Sequence, residues 1–311
     1  MREKIKQTVN LDLDLRQSYL GTTEWAVVAG LYNNYKTPYD VYMDKIYGYE
    51  VIDNHSMRHG RDIEPIIAKW VEEDTGWKVA QDGYVRFHKD YDFLATNLDG
   101  IIYHNDGSES ILEIKTASEK ARESWGNILP IHYLVQIQGQ MLITGIPQAY
   151  VAIETSGYKK EFEILGPFKP DDIAIDVMDK VVNKCVSFWY DHVIPQVAPD
   201  PINVEDLKKT NPQANGHSII ASPELKTKID TLKQMKITKK EIELSIKDLE
   251  FQIKDSMGDA EFLKYEDETL ATWRNTKPRK SFDRATFAQD QPDVYEKYVK
   301  ESAPGRSFRL K

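Results

Sequence analysis

Asp99, Glu113 and Lys115 are the residues whose types and spacing suit phosphate chemistry. They stand in Asn97-Leu98-Asp99-Gly100-Ile101 and Leu112-Glu113-Ile114-Lys115. Successive side chains of a strand point to opposite faces, so Glu113 and Lys115 share one face while Leu112 and Ile114 take the other, core-facing one. A hairpin between the segments brings Asp99 to the Glu113–Lys115 face. Two carboxylates beside an ammonium offer oxygen ligands to a hard divalent cation such as Mg²⁺. Such a cation polarises a phosphate and acidifies a water. Lys115 is suited to steady that water or to offset charge developing on the phosphate. The spacing alone fits equally a solvent-facing strand followed by an ordinary Asp-Gly turn.

Further residues bear on that choice. Glu64, in His59-Gly60-Arg61-Asp62-Ile63-Glu64-Pro65, precedes the strands on a helix, where a first-turn acid also complements the helix dipole. Gln136-Ile137-Gln138-Gly139-Gln140 lies on a later helix; a glutamine buried there needs hydrogen-bond partners, which an active site supplies and solvent supplies equally. Arg16 and Thr23 pair a guanidinium with a hydroxyl near a helix start, a combination able to clasp a terminal phosphate and equally an ordinary surface Arg and N-cap Thr. Of the histidines His55, His59, His88, His104 and His132, none has zinc-site spacing, and only His59 and His132 are candidates for lining the site.

These residues need elements to hold them. The sequence predicts two helices over 17–49 joined by a turn at 30–39, with Thr37-Pro38 as N-cap and first helical residue. An amphipathic helix follows over 57–75, with Ile63, Ile66, Ile67, Trp70 and Val71 on one stripe and Gly76 ending it. Strands are expected at 84–88, 93–98, 101–104 and 111–116, the last two joined by the turn Asn105-Asp106-Gly107-Ser108. A glutamine-rich helix over 133–144, strands at 148–155 and 161–165 and a helix over 171–192 complete an α/β core of residues 1–200, a mixed sheet flanked by helices. Pro195, Pro199, Pro201 and the polar stretch 208–218 mark a linker over 201–221. The appendage, 222–311, is helical and β: a long charged helix over 222–257 whose apolar pattern breaks near Lys239, a hairpin at 262–275, a helix over 284–300 and a last strand at 306–310. The basic stretches Lys277-Pro278-Arg279-Lys280 and 306–311 read as solvated faces.

Composition narrows the chemistry. The one cysteine, Cys185, excludes an intrachain disulfide, a thiolate zinc cluster and an all-Cys iron–sulfur site. A reducing cytoplasm is the expected compartment, and no apolar run reaches the ~18 residues of a membrane span. The formal net charge of −9 speaks against nonspecific DNA coating. It does not speak against a DNA enzyme, in which a basic channel coexists with an acidic exterior.

In order along the chain stand Arg16-x6-Thr23-Glu24, Gly30-Leu-x3-Tyr35-Lys-Thr-Pro-Tyr-Asp40 and His59-Gly60-Arg61-Asp62-Ile63-Glu64-Pro65. They are followed by Leu98-Asp99-Gly100, Leu112-Glu113-Ile114-Lys115-Thr116 and Pro130-x2-Tyr133-x2-Gln136-Ile-Gln138. This ordered set, over residues 14–195, resembles the phage recombination exonucleases of the lambda-exonuclease and YqaJ-like type, within the PD-(D/E)xK nuclease superfamily. The tail, with its long charged helix, Trp-containing strand and final Phe-Arg-Leu, resembles YqaJ-like proteins more loosely. The resemblance implies a restriction-endonuclease-like core in which Asp99, Glu113 and the Ile114 carbonyl bind one or two Mg²⁺ ions, with Mn²⁺ as a substitute. Lys115 orients the attacking water, Glu64 orients a water or joins a metal site, and Gln136, with Gln138, supports the site. Arg16 and Thr23 bind a DNA 5′-phosphate. The implied activity is 5′-to-3′ digestion of linear double-stranded DNA ends, leaving 3′ single strands for recombination. It also implies a single-strand annealing partner and a ring-shaped homo-oligomer. Leu98 stands where the motif has Pro, Thr23 where the family has Ser, and Gln140 where related nucleases carry Tyr. The rival readings are a nuclease of other polarity, an endonuclease, and a noncatalytic DNA-binding protein on the same fold. The iron–sulfur branch of the superfamily lacks its cluster cysteines here.

Overall fold

The computed structural model describes residues 4–6, 13–32, 34–48, 54–126, 128–155, 161–301 and 305–311. The chain forms two compact units, Met1–Leu207 and Lys208–Lys311. The first contains, in chain order, β1 (Lys4–Lys6), α1 (Leu13–Gln17), β2 (Leu20–Gly21), α2 (Thr22–Val28), α3 (Pro38–Tyr47) and α4 (His55–Thr75). Next come β3 (Lys78–Ala80), β4 (Tyr84–Phe87), β5 (Leu94–Thr96), β6 (Gly100–Tyr103) and β7 (Glu109–Ala117). It ends with α5 (Glu119–Trp125), α6 (Ile131–Thr144), β8 (Ala149–Thr155), β9 (Glu161–Phe168), α7 (Ile175–Phe188) and the start of α8 (Val204–Thr210), within which the boundary between the units falls.

The five-stranded sheet has the order β3-β6-β7-β8-β9, and all its pairs are antiparallel except β7–β8. It is a mixed sheet with a helical crossover between its parallel strands, as the α/β reading expects. The β6–β7 hairpin turns where the Asn-Asp-Gly-Ser signal lies: Gly107 N donates to the His104 carbonyl at 3.0 Å and Ser108 N to Asp106 Oδ1 at 2.9 Å. Helices cover both faces. Leu112, Ile114 and Ala152 pack with Ile67, Ala68 and Val71 of α4. Ile111, Val151 and Ile153 pack with Ile137 and Met141 of α6. A strand buried on both faces is apolar throughout, so the buried Glu113 in β7 is an exception that packing does not explain.

Caps set the helix limits. Thr37 accepts from Asp40 N at 3.2 Å while its own N–H donates to Asp40 Oδ2 at 3.0 Å, fixing the start of α3 as anticipated. Asn54 accepts from Met57 N at 2.9 Å and starts α4 two residues before the expected position. Gly76, at φ 72°, ends it in the left-handed conformation that glycine adopts without strain. Ile66 does not belong to the buried stripe; it is 47% exposed, while Ile67 and Val71 are fully buried.

Other expectations need correction. The chain over 17–28 is not one helix: α1 stops at Gln17, and Leu20–Gly21 pair in parallel with Leu94–Ala95 of β5 before α2 begins. A two-residue strand leaves no alternation to read; β3 and α5 are further elements that the sequence does not predict. The expected helix over 171–192 runs regularly only over Ile175–Phe188 and closes in a wider π-turn at Trp189–Val193. The stretch expected to link the units contains α8, and its Asp206 is completely buried. Thr37 Oγ1 donates to Asp206 Oδ1 at 3.0 Å and Ile202 N to Oδ2 at 3.2 Å. The Pro-rich composition signals a linker; only the contact with the cap of α3, far away in sequence, shows that it is anchored.

The second unit consists of α9 (Pro223–Met257), β10 (Phe262–Tyr265), β11 (Glu268–Thr272), α10 (Arg284–Asp290) and α11 (Pro292–Tyr298). α9 is one uninterrupted helix, capped by Ser222 and largely exposed; the break in its apolar pattern near Lys239 does not interrupt the backbone. The helix expected over 284–300 is split at Gln291-Pro292, because proline supplies no N–H to continue it. The strand expected at 306–310 is absent: residues 305–311 have no regular structure.

Candidate active site

β6 pairs with β7 only as far as Gly100↔Leu112, while β7 continues along β8 to Ala117. Where β6 leaves, Asp99 takes over the free edge: the Ile114 N–H donates to Asp99 Oδ2 at 2.7 Å. The carboxylate thus replaces a strand and is fixed beside Glu113 and Lys115. Glu113 is 2% exposed. Its Oε1 accepts from the Lys115 ammonium and, at 2.6 Å, from Gln136 Nε2; its Oε2 accepts from Gln140 Nε2 at 2.5 Å. Lys115 Nζ lies 5.1 Å from the Tyr133 ring centre, a cation–π contact.

Three carboxylates face one ammonium here. Burial, and then the Glu113 charge, push the Asp99 carboxyl well above the usual carboxylate range, with Glu64 adding to Glu113 and Lys115 opposing. Burial and Glu113 raise Glu64 in the same way. Burial works against the Lys115 ammonium, but Glu113 and Asp99 overcome it and raise its pKa. The two carboxylates beside Lys115, with the Ile114 carbonyl, are all-oxygen donors of the kind that could hold a hard divalent cation. Glu64 lines the same cavity, but among the described residues no three His, Cys, Asp or Glu side chains are grouped as metal ligands. The structure therefore places Glu64 at the site without joining it to the other two acids.

The cavity, about 400 Å³, gathers Arg16, Thr23, Glu64, Asp99, Glu113, Ile114, Lys115 and Gln136. Three other expected members lie elsewhere. Gln138 donates to the Lys169 carbonyl at 2.5 Å. On a helix, Gln136 and Gln140 are one turn apart and share a face, whereas Gln138 is two residues from each and points away. Gln140, completely buried, therefore holds the role expected of Gln138. His59 and His132 line a neighbouring cavity. His59 Nε2 is 3.5 Å from Glu154 Oε2. His132 stacks on Tyr32 with ring centres 3.8 Å apart, and burial together with Lys115 lowers its pKa to about 4.

The structure adds an ion cluster, with Lys45 buried and Glu24, Asp44 and Lys36 partly buried, that the sequence did not assign a role. Glu24 Oε2 is 2.8 Å from Lys45 Nζ and accepts from Gly21 N at 3.1 Å. Its Oε1 is 3.3 Å from Lys36 Nζ, which also pairs with Asp44. Lys45 donates to the Arg16 carbonyl at 3.0 Å. One pair of side chains thus ties the Arg16 backbone to the first turn of α2, where Thr23 sits. Burial opposes the charge on Glu24, but Lys45 and Lys36 hold its pKa below the usual range. Burial prevails on Lys45, whose pKa is lowered despite Glu24. Gly21 and Glu24 are three residues apart, whereas twenty residues stand between Glu24 and Lys45, beyond the reach of any local pattern.

The family of YqaJ-like viral recombinase domains matches residues 13–147. The uncharacterized protein YqaJ of Bacillus subtilis strain 168 is 30% identical over 309 residues, 95% of this chain and 92% of its own. Among solved structures, LHK-Exo in complex with dAMP has a TM-score of 0.49 at 18% identity, over 64% of this chain and 95% of its own. The structure of LHK-Exo described as an alkaline exonuclease from Laribacter hongkongensis gives 0.48 at the same identity and coverage. A phage-related exonuclease of Haemophilus somnus 129PT gives 0.43 at 15% identity, over 58% of this chain and 96% of its own.

Proposed function

This chain belongs to the YqaJ-like viral recombinase family, and from that premise we propose that it is a Mg²⁺-dependent deoxyribonuclease that digests linear duplex DNA from 5′ ends. One observation carries the reading: Asp99, Glu113 and Lys115 converge in a single cavity that also takes in Arg16 and Thr23. Mg²⁺, or Mn²⁺ in its place, would supply Lewis-acid polarisation of the scissile phosphate when bound. Asp99, Glu113 and the Ile114 carbonyl would hold it. Gln136 and Gln140 fix both Glu113 oxygens by hydrogen bonds, which keeps that carboxylate oriented as a ligand. Lys115 would position the attacking water and face the charge that builds on the phosphate. Glu64, whose pKa burial raises, would orient a water. Arg16 and Thr23 would bind the 5′-phosphate, setting the polarity and leaving a 3′ single strand. A single-strand annealing protein that loads on that strand, and a ring of identical subunits, complete the reading.

Digestion of end-labelled linear duplex with and without Mg²⁺ tests this. Loss of label from 5′-phosphorylated ends, faster than from 5′-hydroxyl ends and only with Mg²⁺, is expected. Closed circular DNA cut as fast as linear DNA would instead establish an endonuclease, and intact linear DNA would leave only binding. Among the described residues no helix is long and apolar enough to cross a membrane.

A further inference from the structure

α9 is about 50 Å long, at 1.5 Å per residue, and it carries an apolar seam that its own unit leaves uncovered. In one unbroken heptad register Leu225, Leu232, Ile246 and Ile253 take position a, and Met235, Ile242 and Leu249 take position d. The polar d residues, Lys228 and Ser256, lie near the ends. Met235, Ile242 and Leu249 are 64%, 54% and 59% exposed, and among the described residues no hydrophobic cluster includes a member of the seam. An apolar face of this length without cover marks an interaction surface. Lys239 stands at position a in the middle of the helix. The apparent break there is thus one polar residue within a continuous register, of the kind that fixes how two helices align. Met235, Thr238, Lys239 and Ile242 help to line a groove on this face. They occupy positions d, g, a and d, the four corners of a hole that receives a side chain of a facing helix.

Charge identifies the occupant. Residues 223–240 carry six lysines and two acids, net +4, and residues 241–257 carry five acids and two lysines, net −3. The helix dipole does not account for this order, since it acts on the terminal turns, and those hold Glu224 and Lys254 in the opposite sense. We infer that α9 pairs antiparallel with α9 of a second copy of this chain, each basic half lying on an acidic half. With the two-fold axis near residue 240, the midpoint of α9, Lys239 layers on Ile242 of the second copy and Ile246 on its Met235. Lys236 and Glu243, both at position e, then meet across the contact twice. A parallel pair would instead lay lysines on lysines, and its facing g and e residues, Thr231 with Lys236 and Thr238 with Glu243, join no opposite charges. The antiparallel contact is two-fold and closes on itself. Ile237, Leu244 and Phe251 form a single file on the opposite face, spaced about 10 Å apart, too sparse for a seam. The pairing uses no residue of the carboxylate cavity and does not rest on the nuclease reading.

Sedimentation equilibrium of the full chain tests this. Ile242→Lys combined with Leu249→Lys, both at exposed positions, is expected to halve the particle mass without lowering the melting temperature. Leu244→Lys, the same change on the opposite face, is expected to leave the mass as it is. Lys239→Leu should tighten the pair at least about tenfold. Lys236→Glu should weaken it about tenfold, and adding Glu243→Lys should restore it. Oxidation reads the orientation: Met235→Cys mixed with Ile246→Cys is expected to give a covalent dimer that neither variant gives alone, the native Cys185 being buried. The inference is overturned if the wild type sediments at the mass of the double-lysine variant, if Leu244→Lys separates the copies as well, or if Ile246→Cys alone crosslinks as fast as the mixture.

Discussion

The candidate active site is lined from two sources that solve the problem of buried charge in opposite ways. The strand-borne side, from the end of β5 through β7, carries Asp99 and Glu113 against one lysine, and burial drives Asp99 toward its neutral form. The helix-borne side, from α1 to α3, sets Glu24 and Asp44 against Lys36 and Lys45, and there Glu24 is held ionised. A balanced, partly buried cluster is a structural device, because each charge has its partner in the protein. An unbalanced one calls for a positive charge from outside. The contrast therefore separates residues whose charge is matched within the protein from residues whose charge is not.

The sharpest way to break the comparison is to remove one charge from each side. Glu113→Gln or Lys115→Ala is expected to slow digestion of linear duplex at least about a hundredfold, with the melting temperature kept or raised for Glu113→Gln, since it relieves crowded negative charge. Unchanged digestion would remove the strand-borne side from the chemistry. Lys45→Met should do the reverse. It is expected to cost about 3 kcal/mol of stability, because Glu24 stays buried with one lysine fewer. Denaturant unfolding reads this loss; a shift under 1 kcal/mol would mean the pair is not structural.

The two sides meet where α2 crosses α6. A Cβ on Gly139 would lie 2.9 Å from both Thr22 Cγ2 and Trp25 Cζ3, closer than side chains approach without shifting. Gly139→Ala should therefore cost about 1–3 kcal/mol and also slow digestion, since Gln136 and Gln140 ride on the same helix. Loss of stability with full activity would show that the sides are independent. Arg16→Ala, smaller in effect, should remove the preference for 5′-phosphorylated over 5′-hydroxyl ends by about tenfold without lowering the melting temperature.

Acid gives the mildest test. The folded pKa of Glu24 lies below its unfolded value. Its contribution is thus fully present above the ordinary carboxylate range and lost as pH falls through the lowered folded value. Between pH 7 and pH 3 the wild type should lose more stability than Glu24→Gln. Parallel melting curves for the two proteins would show that the ion cluster contributes nothing.

What could be read from the sequence follows from the range of each signal. The hairpin turn at Asn105-Asp106-Gly107-Ser108, the Thr37 cap and the end of α4 at Gly76 depend on a few adjacent residues, and the structure has them where expected. The alternation of β7 separated Glu113 and Lys115 from Leu112 and Ile114, because a strand has a period of two. The two-residue β2 was too short for any periodicity, and the anchoring of Asp206 to Thr37 was too distant.

The sequence by itself determined the chemical types: the acids at 99 and 113, the lysine at 115, and the mixed α/β order of elements that carries them. Only the tertiary structure decided which groups meet. It placed Asp99 where β6 leaves β7, chose Gln140 over Gln138 to hold Glu113, and moved His59 and His132 into an aromatic cavity. Local spacing fixes which face of an element a side chain occupies. What that face meets is fixed by packing between elements tens of residues apart, and it is this packing that makes Glu113 a buried, oriented carboxylate and Glu24 a structural one.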